Sequence, residues 1–164
     1  LNPFITAAAE VLEAETGTTL ERGEVSLQQA TYTTDDVTTV LTLVGDVVGV
    51  VLYDMPTQMA LALVSKILGQ RFEELDELAQ SGIGELGNVI TGRAGVKLAT
   101  SGYETRLSVP TLIIGRGTTV STLDLPHLVV PLHTQYGTMR IHLALRENRN
   151  GKGNWRRSRL DSSA

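Results

Sequence analysis

The stretch from Ser81 to Gly92, which reads Ser-Gly-Ile-Gly-Glu-Leu-Gly-Asn-Val-Ile-Thr-Gly, fits two incompatible folds. Residues 82–87 match the pattern G-x-G-x-x-G, which in a βαβ unit forms the turn that binds the pyrophosphate of a dinucleotide. The same stretch on a helix places Ser81, Glu85 and Asn88 in one stripe, at positions i, i+4 and i+7. The first fold needs a parallel sheet, whereas the second needs a long helix.

The residues before this stretch argue against the dinucleotide turn, which must follow a strand and begin a helix. Residues 74–80 have helical periodicity and three acidic side chains, which would repel a pyrophosphate. In a dinucleotide-binding domain, an acidic residue about 20 positions after the glycine pattern binds the ribose. Glu104 lies near that position, but no parallel βαβ unit surrounds it. We therefore predict one helix from the acidic patch at residues 73–77 to about residue 102.

On this helix the apolar residues gather on one side, where they would pack on a sheet, and the polar stripe lies opposite. The apolar set comprises Leu75, Ala79, Ile83, Leu86, Ile90 and Ala94. Five glycines at positions 82, 84, 87, 92 and 95 would each cost about 0.8–1 kcal/mol relative to alanine, or roughly 4–5 kcal/mol together. Close approach of a partner would justify such glycines, and we assign Gly84, Gly92 and Gly95 to this surface. Helix–sheet packing is the alternative for some of them.

The rest of the chain indicates an α+β fold. We expect one antiparallel (or mixed) sheet of about six strands, covered on one face by three helices. The first two helices are predicted at residues 2–16 and 56–69, and a first strand at residues 24–33 begins an antiparallel meander. The remaining strands are predicted at residues 37–44, 47–53, 104–109 (ended by Pro110), 111–114, 127–134 and 138–145.

Composition narrows the class of protein. The chain has 164 residues, a net charge of −4 and no cysteine, which excludes disulfides and thiolate metal sites. No apolar run approaches the ~20 residues of a membrane span, so we expect a cytoplasmic protein with no membrane partner. Since the sequence starts at Leu1, we expect a fragment or a processed chain.

The end of the sequence differs in charge from the rest. From residue 146 onward there are six basic and two acidic side chains, and the preceding residues carry 8 basic and 16 acidic ones, a net of −8. We predict a domain at residues 1–145 and a basic tail at residues 146–164 that is disordered or vector-derived. Because the acidic body would repel phosphates, we expect no nucleic-acid partner.

The three histidines do not predict a metal site. His127 and His133 share strand parity but lie six positions apart, or about 20 Å. His142 falls on the same face, where it forms at most a diagonal pair with His133. We expect ordinary sheet-face histidines, no metal and no cofactor.

Ser81, Glu85, Asn88 and Pro110 together resemble the signature of the CheC/CheX/FliY group of chemotaxis phosphatases. That signature is Asp or Ser, three residues, Glu, two residues, Asn, twenty-one residues and Pro, and every spacing is met here. The resemblance extends in element order over residues 2–145. Doubled members of the group carry a second Glu–Asn pair on the first helix. Here that helix has Glu10 and Glu13 without a suitable Asn, so the chain is similar to the single-site CheX type.

The resemblance implies hydrolysis of the aspartyl phosphate on a CheY-like response regulator. Asn88 would orient the attacking water, and Glu85 would pair with the regulator's active-site lysine. Ser81 and Pro110 would shape the site, and the regulator would supply Mg²⁺. CheX members pair as homodimers through their sheets. Two alternatives are a non-catalytic scaffold of the flagellar-switch type and a sensory domain for a small ligand, although no polar cluster indicates such a ligand.

Overall fold

The computed structural model describes residues 1–28, 31–122, 125 and 127–148. Its three helices are α1 (Asn2–Thr16), α2 (Thr57–Leu68) and α3 (Glu77–Thr100). The strands are β1 (Glu21–Arg22), β2 (Ser26–Gln28), β3 (Thr31–Thr33), β4 (Val37–Gly45), β5 (Val47–Met55), β6 (Thr105–Leu107), β7 (Thr111–Ile114), β8 (Thr119–Ser121), β9 (His127–Thr134) and β10 (Gly137–Glu147). No described helix is both long and apolar enough to cross a membrane.

Eight of these strands form one sheet in the order β1-β9-β10-β5-β4-β6, with β2 also paired to β9 and β7 also paired to β4. All of its described pairings are antiparallel. The α+β prediction is confirmed, with about eight strands in place of six. Strands β3 and β8 form a separate two-stranded ribbon.

The predicted meander is wrong in its first step. The expected single strand at residues 24–33 is divided between β2 and β3, and β2 pairs with β9 rather than with β4. The edge of β4 that β2 would need is filled by β6 and β7, which pair with residues 43–45 and 37–40 of β4. Pro110 separates β6 from β7, since proline has no N–H to donate to the ladder.

The helix ends follow local chemistry. Gly17 and Gly69 end α1 and α2 with φ of 66° and 67°, a left-handed conformation that glycine adopts without steric cost. Helix α3 begins at Glu77 instead of Glu73 because Asp76 caps it, and the Asp76 side chain accepts a 2.8 Å hydrogen bond from the Ala79 N–H.

The core lies between the helices and one face of the sheet. Alternate residues of β5, such as Val51 and Tyr53, join it together with buried residues of all three helices. In the last hairpin, the residues of β9 and β10 that face the helices join this core, namely Val130, Leu132, Met139, Ile141 and Leu143.

The described residues continue to residue 148, three positions beyond residue 145, where the domain was predicted to end. Strand β10 extends to Glu147, and Asn148 donates its backbone N–H to the Asp46 carbonyl and its side-chain amide to the Gly45 carbonyl. Residues 149–164 of the predicted tail lie outside the described residues.

Candidate functional site

Helix α3 presents the polar stripe as its outward side. Ser81 and Glu85 are exposed and Asn88 is half-buried, whereas the predicted apolar positions from Ala79 to Ala94 are buried against the sheet. The pattern G-x-G-x-x-G therefore lies inside a helix that began five residues earlier. Its backbone N–H groups serve the helix and cannot cradle a pyrophosphate.

Two of the five glycines bring α3 close to its neighbours. A Cβ at Gly87 would lie 2.9 Å from Cγ2 of Thr39 on β4, and a Cβ at Gly82 would overlap Cγ2 of Val64 on α2. The Thr91 hydroxyl donates to the Gly87 carbonyl and hydrogen bonds the Tyr53 hydroxyl, both at 2.7 Å. These contacts hold the helix at a fixed distance and rotation above the sheet.

Gly84 differs from the expectation because it is buried, and so it is not part of an exposed partner surface. A Cβ there would lie 3.2 Å from Cδ1 of Leu112 and 3.7 Å from Cγ of Pro110. The small residue thus lets Pro110, distant in sequence, pack beside the turn of α3 that carries Glu85. Pro110 therefore lies beside α3 next to Gly84, and Glu85 and Asn88 follow Gly84 on the same helix.

Gly92 and Gly95 are half-buried and line an open groove of about 730 Å³ between the second half of α3 and strand β6. The nearest atom to a Cβ at Gly92 would be Cδ1 of Leu107, 3.9 Å away, and at Gly95 it would be Oγ1 of Thr105, 3.2 Å away. The groove continues the stripe past Asn88, so these two glycines keep that side of the helix bare.

Glu85 and Asn88 have uncommitted side chains. Within the described part of the chain, neither forms a hydrogen bond or an ion pair. Two cations of α3 are bound elsewhere, because Arg93 and Lys97 both contact Glu10 of α1, at 3.4 and 2.9 Å. The carboxylate can therefore accept from a partner's cation, and the amide can both donate and accept.

Two exposed apolar side chains on the side of α3 that carries this pair were not predicted. Val89 directly follows Asn88 and is 38% exposed, and Val96 lies two turns further along the stripe. A helical projection that counts apolar as well as polar residues would have identified them, since both project within about 40° of Glu85.

The diagonal histidine pair that strand parity allowed, His133 with His142, is not formed. His142 faces Val129 in the register, so its diagonal neighbour is His127, with ring centroids 5.2 Å apart, and not His133. Tyr32 of the β3–β8 ribbon stacks on His142 at 4.1 Å. Among the described residues, no group of His, Asp and Glu side chains is suited to hold a metal ion.

This cluster lies on the sheet face away from the helices and shifts the charge state of His142. Burial, reinforced by His127 and Arg140, lowers the pKa of His142 to about 3. Its Nε2 lies 3.9 Å from Oδ2 of Asp54, but the Asp54 oxygens already accept from the Asp35 N–H and the Thr38 hydroxyl. Burial also raises the pKa of Asp54. His142 is therefore neutral, and this pair is no ion pair at neutral pH.

Comparison with known proteins points to one family. The profile of the family described as "Chemotaxis phosphatase CheX" matches residues 37–133. The CheY-P phosphatase CheX of Thermotoga maritima is 31% identical over 117 residues, which are 71% of this chain and 76% of that protein.

Solved structures agree with this match. A chemotaxis protein CheX from Desulfovibrio desulfuricans superposes with a TM-score of 0.79 at 25% identity, covering 90% of this chain and 97% of that one. CheX in the CheX–CheY–BeF3–Mg²⁺ complex from Borrelia burgdorferi gives a TM-score of 0.73 at 25% identity, covering 89% and 97%.

Proposed function

The chain belongs to the CheX family of chemotaxis phosphatases, and from that premise we propose that it hydrolyses the aspartyl phosphate of a CheY-like receiver domain. The observation that carries this proposal is the pair of uncommitted side chains, Glu85 and Asn88, on the outward side of a rigidly packed helix. A relative that forms a complex with CheY adds support for a receiver domain as the partner.

Asn88 would orient the water that attacks phosphorus. An aspartyl phosphate is already activated, because its leaving group is a carboxylate, so the main requirement is a water held in line with the bond that breaks. The water oxygen forms the new P–O bond as the bond to the aspartyl oxygen breaks, and the carboxylate leaves with the electron pair. A neutral amide suits this role, since it can accept from the water and donate to a phosphoryl oxygen without adding negative charge.

Glu85 would dock the receiver domain by pairing with the lysine of its active site. The carboxylate is exposed and lies one helical turn from Asn88, so both side chains reach the same region of a partner. A charge-assisted hydrogen bond is shorter and stronger than a neutral one, and it fixes the register of the two proteins. Glu85 therefore contributes mainly to binding, and Asn88 to turnover.

Ser81 and Pro110 would support this pair without chemistry of their own. Ser81 lies one turn before Glu85 on the exposed stripe, and Pro110 packs beside Gly84. Gly92 and Gly95 would let the partner's backbone approach the helix beyond Asn88.

The receiver domain would supply the Mg²⁺, and this chain would contribute no metal ligand of its own. We also propose a homodimer formed through the sheets, with light scattering as its measurement. A cytoplasmic location is consistent with such a partner.

A phosphate-release assay with phosphorylated receiver domains tests the proposal. The wild-type chain should accelerate release from at least one receiver. Glu85→Gln should raise KM by roughly 10-fold or more, since a hydrogen bond between charged groups contributes about 1.5–3 kcal/mol. Binding of a receiver without faster release would contradict the proposal and favour a scaffold.

A further inference from the structure

A second surface feature lies beside Glu85, in the angle between the three helices. The three-helix groove is a cavity of about 140 Å³ that opens to solvent, and Glu85 is part of its wall. Its apolar lining comes from all three helices and comprises Val11, Ile67, Leu68, Leu86 and Val89.

The rim of this groove leaves apolar surface in water. Leu68 is 39% exposed and Val89 is 38% exposed, whereas Val11 and Leu86 beneath them are buried. Single exposed apolar residues are common, but here two aliphatic side chains flank a concave apolar surface. Gly82 also lines the groove, and its lack of a side chain lets α3 pack closely on α2 there.

The groove is continuous with the proposed docking surface. Glu85 and Val89 line the groove and also belong to the exposed stripe of α3, and Val89 is the residue next to Asn88. Residues one turn apart on a helix have Cβ atoms about 5–6 Å from each other. A receiver domain that reaches Glu85 and Asn88 therefore also covers the mouth of the groove.

Size and chemistry limit what can fill the groove. A closed apolar cavity of about 150 Å³ accommodates a benzene molecule, so a volume of about 140 Å³ fits one large side chain. Among the described residues that line the groove, the charged ones are Glu15 and Glu85, whose carboxylates would repel an acidic residue.

We propose that the three-helix groove receives one aliphatic or aromatic side chain of the receiver domain, from the surface next to its phosphorylation site. This inference rests on the proposed function and adds a determinant of partner choice to it. Glu85 would fix the charged contact, and the groove would select receivers that carry an apolar residue at the matching position.

Leu68→Ser tests the groove, because this residue lies on α2 and outside the helix that carries Glu85 and Asn88. The matched control is Leu27→Ser. Leu27 is 71% exposed and lies on strand β2, which pairs with β9 and does not line the groove. Leu68→Met keeps the apolar volume and should restore binding.

The measurement is the dissociation constant for a beryllofluoride-activated receiver domain that the chain dephosphorylates. Because beryllofluoride carries no phosphoryl group, no turnover interferes with this binding measurement. Loss of one buried apolar side-chain contact predicts a roughly 10-fold or larger increase for Leu68→Ser, and less than twofold for Leu27→Ser.

Equal dissociation constants for Leu68→Ser and Leu27→Ser would overturn the groove proposal, and phosphate release by the wild-type chain would show that the proposed function still stands. If no receiver binds or is dephosphorylated, both proposals fail. A change in molar mass for Leu68→Ser with unchanged receiver binding would assign the groove to a second copy of this chain and would likewise overturn the proposal.

Discussion

Replacing Gly87 by alanine tests how closely α3 lies on the sheet. The new Cβ would lie 2.9 Å from Cγ2 and 3.4 Å from Cβ of Thr39, and 3.4 Å from Cδ1 of Leu41. Thr39 is buried on β4 and branched at Cβ, so its side chain cannot easily rotate away. Overpacking of this kind costs about 1–3 kcal/mol, and the gain in helix propensity returns about 0.8–1 kcal/mol.

Gly92→Ala is the matched control within the same helix. The nearest atom to its new Cβ would be 3.9 Å away, an ordinary van der Waals contact. This variant should gain the propensity of alanine, about 0.8–1 kcal/mol, without strain. The propensity gain is common to both variants, so the difference in their free energies of unfolding isolates the packing cost of about 1–3 kcal/mol.

Urea denaturation of both variants provides the measurement. With an m-value of about 2 kcal/mol/M, the unfolding midpoint of Gly87→Ala should lie roughly 0.5–1.5 M below that of Gly92→Ala. Equal midpoints would refute the packing argument, since they would mean that Thr39 and Leu41 leave room for a methyl group.

Two further predictions concern other parts of the fold. Asp76→Ala removes the hydrogen bond to the Ala79 N–H and should lower the unfolding free energy by about 1 kcal/mol; an unchanged urea midpoint would refute this capping role. In the folded state the pKa of His142 is about 3, so its imidazole stays neutral at pH values above that. In the unfolded state the imidazole binds a proton below about pH 6.5. The unfolding free energy therefore falls as the pH falls from about 6.5 towards 3. At pH 5 this loss is about 2 kcal/mol of unfolding free energy. His142→Phe should abolish the loss, whereas the control His133→Gln, at an exposed position, should keep it. If the unfolding free energy of wild type and of His142→Phe depends equally on pH, the assignment to His142 is contradicted.

The sequence predicted those elements whose signals are local. Three such signals depend on neighbours only a few residues apart. They are the helical spacing of apolar residues in α3, the C-terminal glycines that end α1 and α2, and the alternation of apolar residues in β9 and β10. Long-range pairing has no such signal. Nothing within residues 24–33 indicates that β2 pairs with β9, because that choice depends on which strands fill the edge of β4. The ribbon strand β8 is only three residues long and has no period to detect.

The polar stripe of the site could also be predicted, since Ser81, Glu85 and Asn88 share a helix and their spacing defines a side. The roles of the glycines could not be separated in advance. Gly82, Gly84 and Gly87 pack against other side chains, whereas Gly92 and Gly95 line an open groove, and the two groups look alike in sequence. The three-helix groove was missed because α1, α2 and α3 each contribute a few residues to it.

The central claim is that Asn88 drives hydrolysis of a phosphate held on another protein. Its most direct test is the time course of phosphate release from a phosphorylated receiver domain with wild-type chain and with Asn88→Ala at equal concentration. Asn88→Ala should bind the activated receiver with nearly unchanged affinity and lose about 100-fold or more of the acceleration, because the water is no longer oriented. Undiminished acceleration by a folded Asn88→Ala chain would contradict the account.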